Sequence, residues 1–225
     1  MKKILTLFER EFENHRLVRT LNKVTPGFEW VLDGKGVATV KYDGSCCAII
    51  DGKFYVRYDA KVGRKPPEGA IPCCDPDPVT GHWPHWVEVD ILNPQKDYKW
   101  FAEAYKNTFG VPDLCWRNLA DIEFNLPFII PQNATYEAIG PHFNSNPYHM
   151  DQDCLIMHGK IKLDEDACPD ALGNGDGKRT FEGIKKYLEE TEIEGLVFWK
   201  DDEPQCKIKR RDFGFEWPIK EHDYR

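Results

Sequence analysis

The chain has 225 residues, a length that fits one large domain or two small ones. Hydrophobic residues make up 41% of it and charged residues 30%, which is typical of a globular protein and excludes a disordered or fibrous one. No apolar run approaches the roughly 18 residues that a membrane-spanning helix needs, and the apolar opening at residues 4–8 ends in charged residues without a cleavage site. We therefore predict an intracellular, cytoplasmic protein with no membrane partner.

The charge balance argues against a broad surface that coats nucleic acid. Thirty Lys and Arg residues stand against 38 Asp and Glu residues, so the net charge is −8. A small basic pocket remains compatible with this balance, because the segment Lys207-Ile208-Lys209-Arg210-Arg211 concentrates positive charge near the C-terminus.

The 8 cysteines are expected to be reduced thiols, since nothing in the sequence resembles a secretion signal. The nearest approach to a zinc site is Cys73-Cys74 followed by His82 and His85. Adjacent cysteines rarely ligate one tetrahedral ion, because their side chains diverge. A proline-rich surface loop with incidental thiols is the favoured interpretation.

In chain order, the first predicted element is a helix. Residues 4–22 mix apolar and charged positions with helical spacing, so we predict a helical extension over residues 1–36. Residues 37–40 are a short run of β-forming residues, and Asp43-Gly44 marks a turn after it.

A β-hairpin is predicted next. Strands at residues 46–50 and 54–57 flank Asp51-Gly52-Lys53, a sequence typical of a tight hairpin turn. Residues 63–94 carry many prolines and glycines, which predicts a long loop region with at most short strands.

The rest of the chain alternates strand and helix signals. The predicted elements are a helix over 100–108 closed by Gly110, strands over 127–131, 134–140 and 154–158, a loop over 164–179, a helix over 180–190 with Thr180 as N-cap, and strands over 193–200 and 205–211. Together they predict an α+β fold of antiparallel sheets with flanking helices, in a single domain over residues 1–225.

The most informative motif is the K-x-D-G sequence from Lys41 to Gly44, between two predicted strands. Alone it is weak, because a hairpin turn beside a solvated lysine would have the same sequence. Its significance comes from four features that follow in order: Arg57 at the end of a strand, Glu137 within Tyr-Glu-Ala-Ile-Gly, the pair Glu194-Gly195, and Lys207-Ile208-Lys209.

This ordered set resembles the motifs of the covalent nucleotidyltransferase superfamily, which includes ATP-dependent DNA ligases, RNA ligases and mRNA capping enzymes. Lys41 to Gly44 are similar to its motif I, Glu137 lies in motif III, Glu194 in motif IV, and the strand lysines in motif V. The arginine motif is looser, because its usual S-R-x-G is here Val-Arg-Tyr-Asp around Arg57. The matches span about three-quarters of the chain.

A longer segment resembles one subgroup of that superfamily. Residues 137–148, Glu-Ala-Ile-Gly-Pro-His-Phe-Asn-Ser-Asn-Pro-Tyr, are similar to the E-x-I-G…N-P-Y segment of vertebrate-type ATP-dependent RNA ligases and their microbial and viral relatives. The resemblance implies RNA as the substrate and a ligase-type adenylation fold. Because only 14 residues follow Arg211, we expect no OB-fold domain.

The resemblance implies a role for each motif residue. Lys41 would be the nucleophile that carries AMP, because a lysine with a lowered pKa can attack as an amine. Lys207 and Lys209, two apart on a predicted strand, would share one face and hold the phosphates. Glu137 would accept a hydrogen bond from the ribose, and Glu194 would bind Mg²⁺ or Mn²⁺.

Further contacts are assigned more loosely. Arg57 would contact phosphate or ribose, and Asp43, Gly44, Val40 and Val197 would adjoin the nucleotide. The candidate RNA contacts are Arg64, Lys178, Arg179 and Arg210.

Each of these residues also has an ordinary structural interpretation. Lys207 and Lys209 fit an exposed basic edge strand, Glu137 a surface carboxylate, Glu194 a turn residue, and Arg57 a solvated strand end.

The predicted function is an ATP-dependent RNA ligase that joins 5′-phosphate and 3′-hydroxyl RNA ends through a lysyl-AMP and an adenylated RNA 5′ end. Two alternatives remain open at this point. One is a different nucleotidyl transfer, either GTP-using capping or DNA nick sealing. The other is a catalytically silent module that binds nucleotides or RNA ends. The oligomeric state and the RNA end geometry are not predicted.

Overall fold

The computed structural model describes residues 4–61, 63–78, 80–110, 131–163, 172–173 and 177–219. They form an α+β structure with mostly antiparallel sheets, which confirms the predicted class. Contacts divide the chain into two compact units. The central unit contains Asp43–His158, and the terminal unit combines Lys3–Tyr42 with Gly159–Arg225. The single-domain prediction and the ligase-type fold stay predictions.

The helices and strands agree with most of the predicted order. The described strands are β1 (Leu5–Thr6), β2 (Phe8–Glu13), β3 (Arg16–Val24), β4 (Val37–Lys41), β5 (Ser45–Ile50), β6 (Lys53–Ala60), β7 (Ile71–Pro72), β8 (Trp83–Glu88), β9 (Ala134–Ile139), β10 (Cys154–Met157), β11 (Gly195–Lys200) and β12 (Glu203–Lys209). The described α-helices are α1 (Glu29–Leu32), α2 (Lys99–Phe109) and α3 (Phe181–Glu190), with short 3₁₀ helices at Lys96–Tyr98 and Arg210–Phe213. None of the helices in the described ranges is long and apolar enough to cross a membrane.

The terminal unit is built on a four-stranded sheet with the order β1-β12-β11-β4. Strand β1 is parallel to β12, while the other neighbours are antiparallel. Alternate residues along β11 and β12 form one face of this sheet. On that face, Leu196, Phe198 and Ile208 are fully buried and pack with Ile184 and Leu188 of α3. This apolar packing leaves the other face of the sheet for polar side chains.

The start of α3 confirms a sequence prediction. Thr180 is its N-cap, and the Thr180 Oγ1 accepts a hydrogen bond from the Gly183 N–H at 3.0 Å. That contact satisfies one of the backbone donors that a helix start leaves unpaired.

The helix predicted over residues 4–22 is wrong. Strands β1 and β2 and most of β3 occupy this segment, and β2 and β3 form an antiparallel hairpin around Asn14 and His15, whose φ angles are 48° and 62°. The i and i+3 spacing of apolar residues that imitates a helix is here distributed over two paired strands. Within the described part of the predicted extension 1–36, the short α1 is the one helix.

The central unit contains a six-stranded antiparallel sheet with the order β10-β9-β5-β6-β8-β7. Its apolar face packs against α2, which ends at Gly110 with φ of 63°, as predicted. The β5–β6 hairpin turns at Asp51 and Gly52, also as predicted.

Two loop predictions have different outcomes. Strand β8, inside the predicted loop region 63–94, is six residues long and pairs with β6, so it is more regular than expected. The strand predicted at 127–131 falls, except for its last residue, outside the described residues.

Candidate active site

Three lysines share one face of the terminal unit's sheet. Lys41 ends β4 and lies opposite Gly195 of β11, which in turn lies opposite Lys209 of β12. Lys207 is two residues before Lys209, so both point to the same face, as the sequence predicted. The strand register therefore places Lys41, the predicted nucleophile, on the same face as Lys207 and Lys209.

Gly195 is required between two of these lysines. A Cβ atom on Gly195 would lie 2.2 Å from the Ile208 carbonyl oxygen, so no larger residue fits without a shift of the backbone. The strand between Lys41 and Lys209 therefore carries no side chain at that position. Because of this, the long side chains on either side can converge on one point.

Glu194 is that point of convergence. Its Oε2 lies 2.5 Å from the Lys41 Nζ, and its Oε1 accepts a hydrogen bond from the Lys209 Nζ. Only 5% of the Glu194 side chain is exposed, against 20% for Lys41. The Lys41 Nζ also donates to the Tyr42 carbonyl at 3.1 Å. A carboxylate held between two ammonium groups makes strong, charge-assisted hydrogen bonds that orient both lysines.

The charged form of the third lysine, Lys207, is destabilised by its surroundings. The pKa of Lys207 is lowered from 10.5 to about 8, first by burial and then by the positive charges of Lys209 and Lys41, while the negative charge of Glu194 partly opposes the shift. This face of the sheet therefore carries more positive than negative charge and will attract an anion. Phosphate is an anion of matching charge.

Glu194 fits a divalent cation in donor chemistry but is already engaged. Its carboxylate oxygens are the hard donors that Mg²⁺ and Mn²⁺ prefer, and Mg²⁺ is commonly held by one carboxylate together with substrate phosphates. Both oxygens here contact ammonium groups. Holding a cation would require Glu194 to release Lys41 or Lys209, and the assignment of a metal to Glu194 stays a prediction.

In the central unit, the Asp43-Gly44 turn is closely packed. A Cβ atom on Gly44 would lie 2.1 Å from the Ala138 carbonyl oxygen, so this position of the K-x-D-G motif needs glycine. The Gly44 N–H donates to the Glu137 Oε1 at 3.0 Å. Two motifs that are far apart in sequence are thus joined by a hydrogen bond.

The loop that contains Asn-Pro-Tyr holds the same turn. The Asn144 Nδ2 donates to the Asp43 Oδ1 and to the Gly44 carbonyl, both at 2.9 Å, and the Tyr148 hydroxyl accepts from the Asp43 N–H at 2.6 Å. Asn144, Ser145 and Asn146 all have φ between 45° and 64°, a rare conformation for three consecutive non-glycine residues. The loop maintains this strained backbone while it positions the turn.

Glu137 also contacts His158. The Glu137 Oε2 lies 2.9 Å from the His158 Nε2, and the His158 Nδ1 lies 2.9 Å from the Thr135 Oγ1. Cys46 of β5 is opposite Glu137 of β9 in register. The ligand atoms of Cys46, Glu137 and His158 lie within 4.8 Å of one another, and within the described ranges they are the one group of three that could hold a metal ion.

The sequence pointed only weakly to this second cluster. Burial, with a contribution from Glu137, raises the pKa of Cys46 to about 12, so the thiol is protonated in the absence of a metal. Cys46 was not among the predicted site residues. The signal that could have found it is its position two residues after Gly44, on a strand that pairs with the Glu137 strand.

Arg57 lies in the central unit on β6 and is already paired. Its Nε and Nη2 donate to the two carboxylate oxygens of Asp59 at 2.9 and 3.0 Å. The donor fork that was predicted to contact phosphate or ribose is thus occupied by a neighbouring carboxylate, and the nucleotide role of Arg57 stays a prediction.

The two valines predicted to adjoin the nucleotide lie on opposite faces of the sheet. Val197 is opposite Lys207 and shares the lysine face, whereas Val40 is opposite Leu196 on the core face. Strand alternation therefore supports only Val197 as a side-chain neighbour of the lysines.

Two predicted RNA contacts are corrected. Arg179 is buried and donates to the carbonyls of residues at and after α1, including Lys35 and Gly36. Arg210 is buried and donates to the carbonyls of Leu188 and Thr191 at the end of α3. Arg210 binds carbonyl oxygens at the C-terminal end of α3, and Arg179 binds carbonyl oxygens of the segment that follows α1, so both guanidinium groups have a structural role.

The other two predicted RNA contacts, Arg64 and Lys178, are exposed. Their role as RNA contacts stays a prediction.

Within the described residues, the group of three possible metal ligands includes neither Cys73 and Cys74 nor His82 and His85. His85 is buried, with its Nδ1 2.8 Å from the Trp83 carbonyl oxygen. The cysteines within the described ranges are free thiols, as expected.

Comparison with known proteins identifies similar sequences. Residues 72–224 match the family described as RNA ligase 1. The chain is 25% identical to RNA ligase 1 of Pongo abelii over 232 residues and 27% identical to that of Rattus norvegicus over 233 residues, covering 81% of this chain and 69% of each relative. It is 29% identical to RNA ligase 1 of Danio rerio over 152 residues, which cover 62% of this chain and 43% of that relative.

The matched family region includes Glu137, Glu194, Lys207 and Lys209 but begins after Lys41. The assignment of the nucleophile therefore depends on its motif and on its contacts.

Proposed function

The chain belongs to the RNA ligase 1 family, and we propose that it is an ATP-dependent RNA ligase that joins 5′-phosphate and 3′-hydroxyl RNA ends through a lysyl-AMP on Lys41. The observation that carries this proposal is the convergence of Lys41 and Lys209 on Glu194, with Lys207 on the same sheet face. A solvated hairpin lysine would not need a buried carboxylate and two further lysines around it.

Lys41 would act as the nucleophile in the first step. Its Nζ loses a proton and forms a bond to the α-phosphorus of ATP, while the bond from that phosphorus to the pyrophosphate oxygen breaks. The Glu194 Oε2, 2.5 Å from the Lys41 Nζ, is the nearest acceptor of that proton. Glu194 would therefore hold the amine in place before the step and accept its proton during the step.

Lys207 and Lys209 would neutralise phosphate charge. Phosphoryl and nucleotidyl transfer is catalysed mainly by positioning and electrostatic stabilisation, because charge spreads over the phosphate oxygens in the transition state. A bound phosphate would place a negative charge beside Lys207 and so stabilise its charged form, which burial disfavours. We therefore expect Lys207 to contribute more than an exposed lysine would.

The later steps transfer AMP and then release it. A 5′-phosphate oxygen of the RNA attacks the α-phosphorus, and the Lys41 nitrogen leaves. The RNA 3′-hydroxyl oxygen then attacks the adenylated 5′-phosphate, and AMP departs. Mg²⁺ or Mn²⁺, when bound, neutralises phosphate charge in these displacements, and Glu194 is the residue that would hold it.

Glu137 would accept a hydrogen bond from the nucleotide ribose. Its carboxylate is oriented by the Gly44 N–H and by the His158 ring, so its remaining lone pairs have a fixed direction. A carboxylate oriented before binding loses little entropy when it accepts a hydroxyl. Arg57, Asp43 and Val197 keep the nucleotide contacts predicted for them as part of this proposal.

The test is covalent labelling of the full chain. Incubation with ATP or GTP labelled at the α-phosphate, followed by a denaturing gel and intact mass measurement, should give an AMP adduct with ATP and none with GTP. The adduct should be absent from Lys41→Ala and unchanged in Lys53→Ala, an exposed strand lysine paired with Glu88.

The labelling experiment also identifies the alternatives. A GMP adduct would indicate capping chemistry, and no adduct in wild type would indicate a silent binding module. An adduct that persists in Lys41→Ala would exclude this lysine as the nucleophile. Lys41→Ala should still seal RNA that is supplied already adenylated, because the last step does not use its nitrogen.

A further inference from the structure

Cys46, Glu137 and His158 bring a thiol, a carboxylate and an imidazole together on one face of the central unit's sheet. We propose that these three side chains bind a thiophilic divalent cation of the Zn²⁺ type, and that this cation competes with the nucleotide for Glu137. The competition rests on the proposed function, because that function assigns Glu137 to the nucleotide. The cation site itself does not depend on the proposed function.

The set of donor atoms selects the class of cation. Sulfur, imidazole nitrogen and carboxylate oxygen are the ligands of zinc sites, whereas Mg²⁺ takes oxygen ligands and binds thiolates poorly. The three ligand atoms lie within 4.8 Å of one another and none of the three residues is fully buried, so a cation can reach them from solvent. Three protein ligands leave one tetrahedral position for water or another donor.

The Thr135 hydroxyl can form a hydrogen bond with the His158 ring both with and without a bound cation. Without a cation, the Glu137 carboxylate can only accept, so the His158 Nε2–H donates to it, and the neutral ring accepts at Nδ1 from the Thr135 hydroxyl. With a cation on Nε2, the ring carries its proton on Nδ1 and donates to the Thr135 oxygen, since a hydroxyl can donate or accept. The ring need not rotate, and such second contacts typically fix metal-binding imidazoles.

The charges balance when a doubly charged cation binds. Cys46 releases its thiol proton to solvent and becomes a thiolate, Glu137 is a carboxylate, and together they neutralise the cation. Arg57 faces Cys46 and lowers the cost of the thiolate, against the burial that raises the thiol pKa. The charge of Arg57 is itself matched by Asp59.

The test uses Co²⁺ as a spectroscopic probe on the full chain. Co²⁺ bound to a thiolate gives an intense near-ultraviolet charge-transfer band, which measures sulfur ligation without any enzymatic readout. We expect the band in wild type and its loss on addition of Zn²⁺. It should be absent from Cys46→Ser and retained in the matched control Cys154→Ser, another half-buried thiol of the same sheet.

Two further variants test the other ligand and its support. His158→Gln should weaken Co²⁺ binding while leaving the sulfur band in place at saturation. Thr135→Val should weaken Co²⁺ binding by about 10- to 100-fold, the usual effect of removing the partner of a metal-binding histidine. Equal Co²⁺ affinity in wild type and both variants would remove His158 from the site.

The proposal fails if wild type shows no thiolate band, or if the band persists in Cys46→Ser. Competition is tested by repeating the Co²⁺ titration with AMP, whose single phosphate chelates cations weakly. The apparent Co²⁺ dissociation constant should rise with AMP concentration, and an unchanged value would overturn the competition. Labelling of wild type with ATP and Mg²⁺ reports separately on the proposed function, so the two failures are distinguishable.

Discussion

Each of the two units contains a glutamate whose carboxylate oxygens are both occupied, but the partners differ in charge. Glu194 lies between the ammonium groups of Lys41 and Lys209. Glu137 lies between the Gly44 backbone N–H and the His158 ring. Around Glu194, two ammonium groups therefore surround one carboxylate. Around Glu137, the two contacts fix the direction of the carboxylate.

The difference implies that the two clusters respond to different perturbations. Removing a residue around Glu194 changes the charge that a phosphate meets, so the effect should appear mainly in the rate of nucleotidyl transfer. Removing Glu137 changes an oriented hydrogen bond, which exists in ground state and transition state alike, so the effect should appear mainly in binding. Experiments that separate rate from binding therefore test the comparison.

The largest expected effect is that of Lys207→Ala. A charge-assisted contact that strengthens in the transition state contributes roughly 3–4 kcal/mol, so the rate of Lys41 adenylation at saturating ATP should fall by about two to three powers of ten. Single-turnover labelling measures this rate. Lys200→Ala, which removes an exposed lysine from β11 of the same sheet, should leave it unchanged. A similar loss of adenylation rate in both variants would show that the positive charge of this sheet promotes adenylation regardless of where on the sheet it lies.

Glu137→Ala should weaken nucleotide binding rather than slow transfer. A hydrogen bond to a charged group contributes about 1.5–3 kcal/mol, so the ATP dissociation constant should rise by about 10- to 150-fold. The sharper readout is discrimination between ATP and analogues that lack ribose hydroxyls, which wild type should show and Glu137→Ala should mostly lose. A variant that still rejects deoxy-ATP as strongly as wild type would show that Glu137 does not contact the sugar.

A pH titration sharpens the comparison further. The pKa of Lys207 is lowered to about 8, so its charge is present below pH 8 and is lost as pH rises through that value. Triphosphate binding should therefore weaken above pH 8, by up to about tenfold per pH unit for one coupled proton. An ATP analogue with a methylene group between its α- and β-phosphates cannot transfer AMP and allows the binding to be measured alone.

Lys207→Gln is the matched control for this titration. Its analogue binding should be weaker at pH 7 and independent of pH between 7 and 9. A wild-type dissociation constant that stays constant across the same range would remove Lys207 from the phosphate site.

The smallest expected effect is the salt dependence of RNA binding. The net charge is −8, and two of the four predicted RNA contacts, Arg179 and Arg210, are buried, so we expect three or four phosphate contacts and a log–log slope of about −2 to −3 for single-stranded RNA. Doubling the salt concentration should then weaken binding only about four- to eightfold. A slope steeper than about −6 would reveal a basic surface beyond the residues described.

The sequence was most informative where neighbours along a strand decide the geometry. Lys207 and Lys209 are two residues apart, so their common face follows from strand alternation alone. The Thr180 cap and the Asp51-Gly52 turn are likewise local patterns.

The failures concern long-range pairing. Leu5 lies beside Cys206 in register, and nothing local to residues 4–22 announces a strand partner about 200 positions away. The buried roles of Arg179 and Arg210 depend on backbone carbonyl oxygens that are distant in sequence and that the fold brings to them. The Cys46–Glu137–His158 cluster likewise needs the order of β5, β9 and β10 in the sheet.

The sheet that carries the lysines takes its strands from both ends of the chain. Strand β4 ends at Lys41, and its contact with Glu194 closes a separation of 153 positions. On the ribosome, β4 emerges long before β11 and β12, and among the described strands its sheet partner is β11, so it cannot pair until Gly195–Lys200 has been synthesised. The central unit, whose strands are contiguous in sequence, can fold while the chain is still growing. Nascent protein consequently acquires the Lys41–Glu194 pair only after residue 194 has been synthesised, so truncated chains that stop before residue 194 are expected to carry no labelled AMP.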